Sequence, residues 1–375
     1  MIQFPAKSAD QWADETERLA ARLDVRLGAH LYNWHQIPFD TSYPDYFPAR
    51  PEFADFARRL RAAGIVVMPY INGRLWDINA KSWRARRAER FAVKHSAERL
   101  DPRTLVPYLE EYGSGQKLAP MCVATAFWRD TVRALCRRIV RELGCDGVYI
   151  DQIAAEKAEL CFNRQHPHAP GGGGFWLDGY RRLAADIRAD IGPNPTLTTE
   201  CNWEGCIADY DALLSWAWFA PNEIPLFPAA YAGLARSFGC SFSDNDIRRD
   251  GGDVFARKMA RLLVWGAQLG WGDLTPLLDA AQAPLLEFFA SLCRLRAGHL
   301  ALFARGRMLR PPTLDARAAA AVYTAVWADD DARPTLFAVN PAREAVTAAF
   351  TFTDLPGRRL TLRLPARTAR AVALA

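Results

Sequence analysis

Short apolar runs alternate with amphipathic helical stretches along most of this chain. Ser8 to Leu23 has helical spacing, and Ser8 with Gln11 three residues on fits a capping box. Val25 to Tyr32 reads as a strand. Pro51 stands at a favoured first-turn position of the next helix, where Phe53, Phe56, Ala57 and Leu60 recur at helical spacing until Gly64. Ile65 to Ile71 is almost continuously apolar, which suits a parallel strand buried on both faces. Asn72 to Thr125 breaks the rhythm; it is too long for an ordinary connection and reads as an excursion on the substrate side. The rhythm returns with a helix from Trp128 to Leu143, Gly144 as its cap, and the strand Cys145 to Ile150 closed by Asp151. A helix from about Phe175 to Asp190 and a strand from Pro195 to Glu200 follow. Ala212 to Trp216 is a short strand, Val254 to Leu263 a helix, Val264 to Trp271 strand-like, and Pro284 to Leu295 a helix.

Such repetition predicts β/α units on parallel strands, and at this length a (β/α)8 TIM barrel. The first clear element is a helix, so strand one is not evident. The chain then reads either as truncated or as using Ile2 to Phe4 in that place. After Gly306 the pattern changes to short strands split by turns: Met308-Leu309, Ala320 to Val326, Leu336 to Val339, Val346 to Phe352 and Leu360 to Leu364. We expect a barrel over residues 1–305 and a small antiparallel β-sandwich over 306–375.

Composition narrows the function. Half of the 375 residues are hydrophobic, enough for a large core. The net charge of +5 comes mostly from Arg scattered along helices, as in Arg58-Arg59 and Arg137-Arg138. No basic stretch interleaves with aromatics, which argues against nucleic acid. No apolar window of about 20 residues argues for a membrane span. Met1 to Asp10 has no signal-peptide pattern, so the chain as given reads as cytoplasmic, leaving open an exported segment upstream. The eight cysteines stand singly with no CxxC pair, which speaks against structural zinc and thioredoxin-like chemistry and for a reducing compartment. Nothing bears on oligomeric state.

In a barrel the chemistry sits at the C-terminal strand ends. Asp151 directly follows Val148-Tyr149-Ile150, with Gln152 behind it; its competing reading is a helix cap. Glu200 ends the strand one unit later, with Glu204 as a close competitor and a structural salt bridge as the alternative. Two carboxylates from neighbouring strands are what glycosidic cleavage needs: one attacks or activates water, the other protonates the leaving oxygen. Asp244 and Asp246 form a third acidic point that could orient sugar hydroxyls, or simply cap a turn. Asp40, Asp45 and Asn72 are further hydroxyl-binding candidates. Of twelve tryptophans, Trp34, Trp76, Trp203, Trp216, Trp218 and Trp271 lie at or just past strand ends, where rings could stack on sugar faces. His166-Pro167-His168 precedes Gly171 to Gly174. Two His without a third ligand make a weak metal signal, and we read a mobile loop over the site. No GK[ST] follows the glycines, so they are not a phosphate loop.

Several of these motifs resemble known barrel glycosidases. Tyr32-Asn33-Trp34-His35, Asp45-Tyr46-Phe47-Pro48, Leu60 to Ile65 and Pro69-Tyr70 are similar to the second and third β/α units of the α-galactosidase and α-glucosidase group. Gly147-Val148-Tyr149-Ile150-Asp151 resembles the strand-four motif ending in the Asp nucleophile. Glu200 matches the acid/base place at the next strand end in amylase-like enzymes and endo-α-N-acetylgalactosaminidases. The overall pattern resembles an uncharacterised glycosidase-like barrel family, whose β-sandwich after the barrel is similar to the tail from Arg305. Tyr149 stands where amylase-like enzymes have Arg two residues before the Asp, so no substrate is carried over from amylases.

The resemblance implies a retaining glycoside hydrolase for an α-linked substrate, with Asp151 as nucleophile and Glu200 as acid/base. Trp34, Asp40, Asn72, Trp76, Gln152, Trp203, Glu204, Trp216, Asp244 and Asp246 are the expected sugar contacts. No metal or organic cofactor is expected. The alternatives are a non-catalytic or truncated carbohydrate-binding barrel, which a missing first strand would favour, and a metal-dependent barrel hydrolase, which the few His disfavour.

Overall fold

The structure is a computed structural model and describes residues 1–95, 105–220 and 223–374. Residues 96–104 of the expected excursion lie outside the described residues. The chain divides into two compact units. One comprises Ile2–Ala13 and Gly28–Asp211; the other comprises Met1, Asp14–Leu27 and Ala212–Ala375.

In the first unit the strands β1 (Ile2–Gln3), β2 (Gly28–Tyr32), β3 (Val66–Asn72), β4 (Gly147–Asp151) and β5 (Thr196–Glu200) lie side by side in that order. All four pairings are parallel. Strand one is therefore present. Ile2 and Gln3 pair with Leu31 and Tyr32, which corrects the reading of a chain without a first strand. A two-residue strand carries too little pattern to register as a periodic run. The connections use the helices α1 (Ala9–Leu23), α2 (Phe53–Ala62), α3 (Ala126–Arg141) and α4 (Gly174–Ile191). Ser8 caps α1 as expected, its hydroxyl accepting from the Gln11 N–H at 3.2 Å. Trp128, Val132, Leu135, Cys136 and Ile139 form the buried stripe of α3, and Trp176, Tyr180, Leu183 and Ile187 that of α4.

Parallel register explains why β4 begins on glycine. Gly147 lies opposite Thr196, and a Cβ there would stand 2.3 Å from the Thr196 carbonyl oxygen. Backbone cannot yield as a flexible side chain would. Gly147→Ala is expected to cost about 1–3 kcal/mol, read as a lowered Tm; an unchanged Tm would show that the two strands are not so close.

The second unit holds a parallel pair, Ala212–Leu214 with Ser237–Phe238, and parallel bridges from Phe238 to Gln268 and from Ser241 to Trp271. The strand-like reading of Val264 to Trp271 reduces to those bridges. Val264 ends the helix Asp253–Val264, and Gly266 and Gly270 turn the chain at positive φ. Its C-terminal part is a four-stranded antiparallel sheet of Arg307–Leu309, Tyr323–Ala328, Pro334–Asn340 and Thr368–Ala373, plus the pair Val346–Thr351 and Arg359–Leu364. Both faces of the larger sheet are covered. Ala325, Trp327, Phe337 and Val339 pack with Phe255, Met259 and Phe303, whereas Val326, Leu336 and Ala338 pack with Ala348, Phe350 and Leu364. This is period-two alternation with an apolar residue on each side. Ala320 and Ala321 end a helix, Ala316–Ala321, rather than start a strand. Asp315 caps that helix by accepting from the Ala318 N–H at 2.9 Å. Among the described residues no helix is long and apolar enough to cross a membrane.

Candidate active site

The same registers that build the first unit's sheet line up its polar groups. Tyr70 lies opposite Tyr149, and Tyr149 opposite Thr198. Two residues on, Asn72 lies opposite Asp151. Side chains two apart on a strand share a face, so Tyr70 and Asn72, and likewise Tyr149 and Asp151, point the same way. The sheet carries a layer of tyrosines and, at its carboxyl end, a layer with Asn72, Asp151 and Glu200. The residues just after the two carboxylates, Gln152 (φ 63°) and Cys201 (φ 62°), adopt the left-handed conformation. That costs about 1–3 kcal/mol for such residues and stops each strand at its carboxylate.

Asp151 sits in a cage of donors. The Tyr70 hydroxyl donates to Asp151 Oδ2 at 2.9 Å and the Tyr149 hydroxyl to Oδ1 at 3.4 Å. Glu200 and the Gln152 backbone N–H also act on Asp151, each lowering its pKa. Burial pushes the Asp151 pKa above the ordinary value of 3.8, opposed by these groups, Glu200 first. Burial, and then the negative charge of Asp151, hold the Tyr70 and Tyr149 hydroxyls well above the usual phenol range, so both remain donors. Asp151 and Glu200 stay half-buried, each with an edge open to solvent.

Two unsatisfied polar ends flank the pair. Asn72 uses Oδ1 to accept from the Arg74 and Leu75 N–H groups at 2.9 and 2.8 Å, leaving its buried Nδ2 without a partner. Gln152 is 7% exposed and its Oε1 is likewise unpartnered. Asp40 is held by Tyr43, whose hydroxyl donates to Oδ1 at 3.3 Å and accepts from the Asp40 N–H at 2.9 Å. Burial raises the Asp40 pKa, Tyr43 lowers it, and the Asp151 charge raises it again, which brings Asp40 into the field of the pair.

Trp34 and Trp76 are 0% exposed. Trp34 donates to the Tyr70 carbonyl at 2.7 Å and stacks on Tyr46; Trp76 stacks on Phe127 and donates to Ser82 at 3.1 Å. Neither ring has a face free for a sugar, which corrects their reading as platforms: an aromatic just past a strand end can fold back into the core. Trp203 is half-buried, and Glu204 is exposed at the start of the short turn Glu204–Cys206. Trp216, Asp244 and Asp246 belong to the second unit. Trp216 is 38% exposed. Asp244 accepts twice from Arg248 at 2.8 Å, and Asp246 closes a capping box with Ser243 and accepts from Lys258 at 3.0 Å. Both carboxylates are occupied by capping and pairing, the competing reading of that motif.

The sequence reading missed the tyrosines. Tyr32 and Tyr70 stack with centroids 4.8 Å apart, and Tyr70 and Tyr149 lie 5.9 Å apart. The available signal was their spacing, two residues before Asn72 and Asp151 on strands with polar ends. A second missed group lies in the excursion. Arg74, 1% exposed, pairs with Glu110 at 2.6 Å, and the Tyr112 hydroxyl donates to Glu110 at 2.8 Å with the Glu156 carboxylate 3.3 Å away as its other acceptor.

Comparison with known proteins places this geometry. The family described as "Domain of unknown function (DUF6259)" matches residues 2–242. The chain belongs to the DUF6259 family. It is 32% identical over 320 residues to a Bacteroides thetaiotaomicron protein named "Putative glycoside hydrolase", covering 81% of this chain and 46% of that protein. It is 31% identical over 353 residues to "Putative glycoside hydrolase 22789" of Monosiga brevicollis, covering 83% of this chain and 29% of that one. The chain thus spans less than half the length of these relatives. Among solved structures, the GalNAc complex of the α-N-acetylgalactosaminidase NagBb from Bifidobacterium bifidum matches with a TM-score of 0.64 at 16% identity, over 89% of this chain and 51% of that one. The maltogenic α-amylase AmyB of Thermotoga neapolitana matches with a TM-score of 0.64 at 11% identity, over 100% and 98%. This DUF6259 chain therefore has an α/β-barrel fold with a further C-terminal sheet domain, and the recognised glycosidase-like barrel family is borne out.

Proposed function

We propose that this DUF6259 chain is a retaining glycoside hydrolase acting on an α-linked glycoside, with Asp151 as nucleophile and Glu200 as acid and base. One observation carries the reading: Asp151 and Glu200 close neighbouring parallel strands in matching register, one residue past the Ile150–Thr199 pair. Adjacent strands lie about 4.8 Å apart, which favours the retaining carboxyl spacing of about 5–5.5 Å over the inverting one of about 6.5–9.5 Å, which must hold a water. The donors around Asp151 oppose the effect of burial and support its charged form, and Glu200 is assigned the proton. The Asp151 carboxylate attacks the anomeric carbon while Glu200 protonates the departing oxygen. Glu200, now ionised, takes a proton from the water that cleaves the glycosyl ester. Two inversions restore the starting configuration. Asn72, Gln152 and Asp40 are placed to bind sugar hydroxyls. The α linkage rests on the names of the relatives in fold, an α-N-acetylgalactosaminidase and an α-amylase.

A panel of aryl α-glycosides, with the first-formed anomer followed by proton NMR, tests this. The expected product keeps the α configuration. A β product means inversion. Oligosaccharide binding with no hydrolysis of any substrate means a binding barrel.

Tyr70→Phe removes one donor from the ionised Asp151. A loss of about ten- to a hundredfold in kcat/KM follows from about 1.5–3 kcal/mol for a hydrogen bond to a charged group. The acid limb of the pH profile should also move upward, since one lowering influence on Asp151 is gone. An unmoved limb would detach Tyr70 from the nucleophile.

A further inference from the structure

Away from the carboxyl pair, one cluster of side chains has no role in that chemistry. Cys122, Cys161, His166 and His168 each offer one ligand atom, all within 4.8 Å of one another. The first three are buried and His168 is half-buried. We propose that these four residues form a structural zinc(II) site that staples the loop following Asp151 to the excursion that follows β3.

The donor set is the first argument. Two thiols and two imidazoles are a tetrahedral zinc set, and four protein ligands leave no open coordination position, as in structural sites. The geometry is the second. Cys161 Sγ lies 3.4 Å from His166 Nδ1. A tetrahedral ion with Zn–S of about 2.3 Å and Zn–N of about 2.0–2.1 Å sets an S···N edge of about 3.5 Å. Cys122 and Cys161 are in side-chain contact, and all eight cysteines are free thiols.

The outer contacts are the third argument. His166 Nε2 faces the Arg90 carbonyl at 2.9 Å, and His168 Nδ1 faces the Ala169 carbonyl at 2.8 Å. His166 Nε2 also lies 2.9 Å from the Asn163 amide nitrogen; with each ring's N–H directed to the backbone oxygen, the other nitrogen is left as a lone pair, the usual orientation of metal-binding histidines. For His168 that other nitrogen, Nε2, is buried and has no partner. His168 is held by stacking on Phe175, with centroids 3.9 Å apart and planes within 9°.

The connectivity says what the ion would do. Cys122 donates its N–H to the Phe91 carbonyl at 2.9 Å, and Phe162 donates to the Lys94 carbonyl at 2.9 Å. Cys161 bridges Gly171. Residues 90–94 therefore run between the two cysteine segments, and one ion would tie together the loop that leaves Asp151 and the excursion before α3. Zinc would bind with release of two thiol protons, giving a neutral site. A search for CxxC missed it because the ligands are 39 residues apart in sequence, from Cys122 to Cys161, before the close trio 161, 166 and 168.

The test is metal content, which is independent of any glycosidase assay. The full chain is expressed in zinc-supplemented medium, freed of its tag, incubated with ZnCl2, desalted and measured by inductively coupled plasma mass spectrometry. About one zinc per chain is expected, falling below roughly a tenth in Cys122→Ser and in His168→Ala. Circular dichroism confirms that His168→Ala, altered only at a half-buried ring, is folded. Cobalt(II) in place of zinc should show the visible absorption of tetrahedral thiolate coordination. Wild-type protein that stays metal-free, zinc retained by both variants, or an intact mass showing a Cys122–Cys161 disulfide would each overturn the proposal.

Discussion

Asp151→Asn should abolish turnover while making the protein more stable at neutral pH. An amide is not a nucleophile for the anomeric carbon, so the loss should be about 10⁴-fold or more in kcat, on the scale seen when a covalent nucleophile is removed. The stability gain follows from the direction of the Asp151 pKa. In the folded protein it lies above the value of 3.8 expected when exposed. Between those values the native state binds more protons than the unfolded state, so stability falls as pH rises through that window. Above it, the wild type carries the full cost of a buried charge that Asn lacks. The Tm advantage of Asp151→Asn should therefore be absent below about pH 4 and fully present above the folded-state pKa. The same measurement separates two explanations of inactivity. A variant that is inactive and destabilised has lost its fold, whereas one that is inactive and stabilised has lost a group held in an unfavourable place for its chemistry. A variant that still turns over would remove Asp151 from the nucleophile role.

Which features could be read without a structure follows from the range of the signals. Asp151 stood out because three buried apolar residues end on a carboxylate, and that pattern is local. Helices such as α3 and α4 declared themselves through stripes long enough to average out exceptions. Ile2–Gln3 did not, because two residues contain no period, and only the pairing with Leu31 and Tyr32 makes them a strand. Trp34 and Trp76 misled because position along the chain does not say whether a ring turns inward or outward. Asp246 could be read as a cap or a ligand, and the Ser243 hydroxyl decided for the cap. Cys122 and the trio Cys161, His166 and His168, like Arg74 and Glu110, stand 36 or more residues apart, and no short window on the sequence contains both partners. The tyrosine layer was in principle legible: parallel strands buried on both faces must place something beneath each terminal polar residue, and tyrosine supplies both bulk and a donor.

Removing the proton donor should produce a loss that depends on the leaving group. In Glu200→Gln the side chain keeps its size but can no longer give a proton to the glycosidic oxygen. For an alkyl or sugar leaving group, which departs as a strong base without help, general acid catalysis contributes about 10²–10⁴-fold, and that factor should disappear. A dinitrophenyl α-glycoside needs no such help, because its phenolate is already a good leaving group. Formation of the glycosyl ester on Asp151 should then be nearly unimpaired, and the second step, which lacks its base, should limit turnover. The expected signature is a burst of phenolate followed by a slow steady state, with KM lowered because the intermediate accumulates. Azide, which needs no base, should relieve the second step and give the α-glycosyl azide, since Asp151 still performs the first inversion. A uniform loss across leaving groups, with no burst and no azide product, would show that Glu200 acts only through its influence on Asp151. Glu204, exposed on the turn that follows β5, would then be the next carboxyl to test as donor.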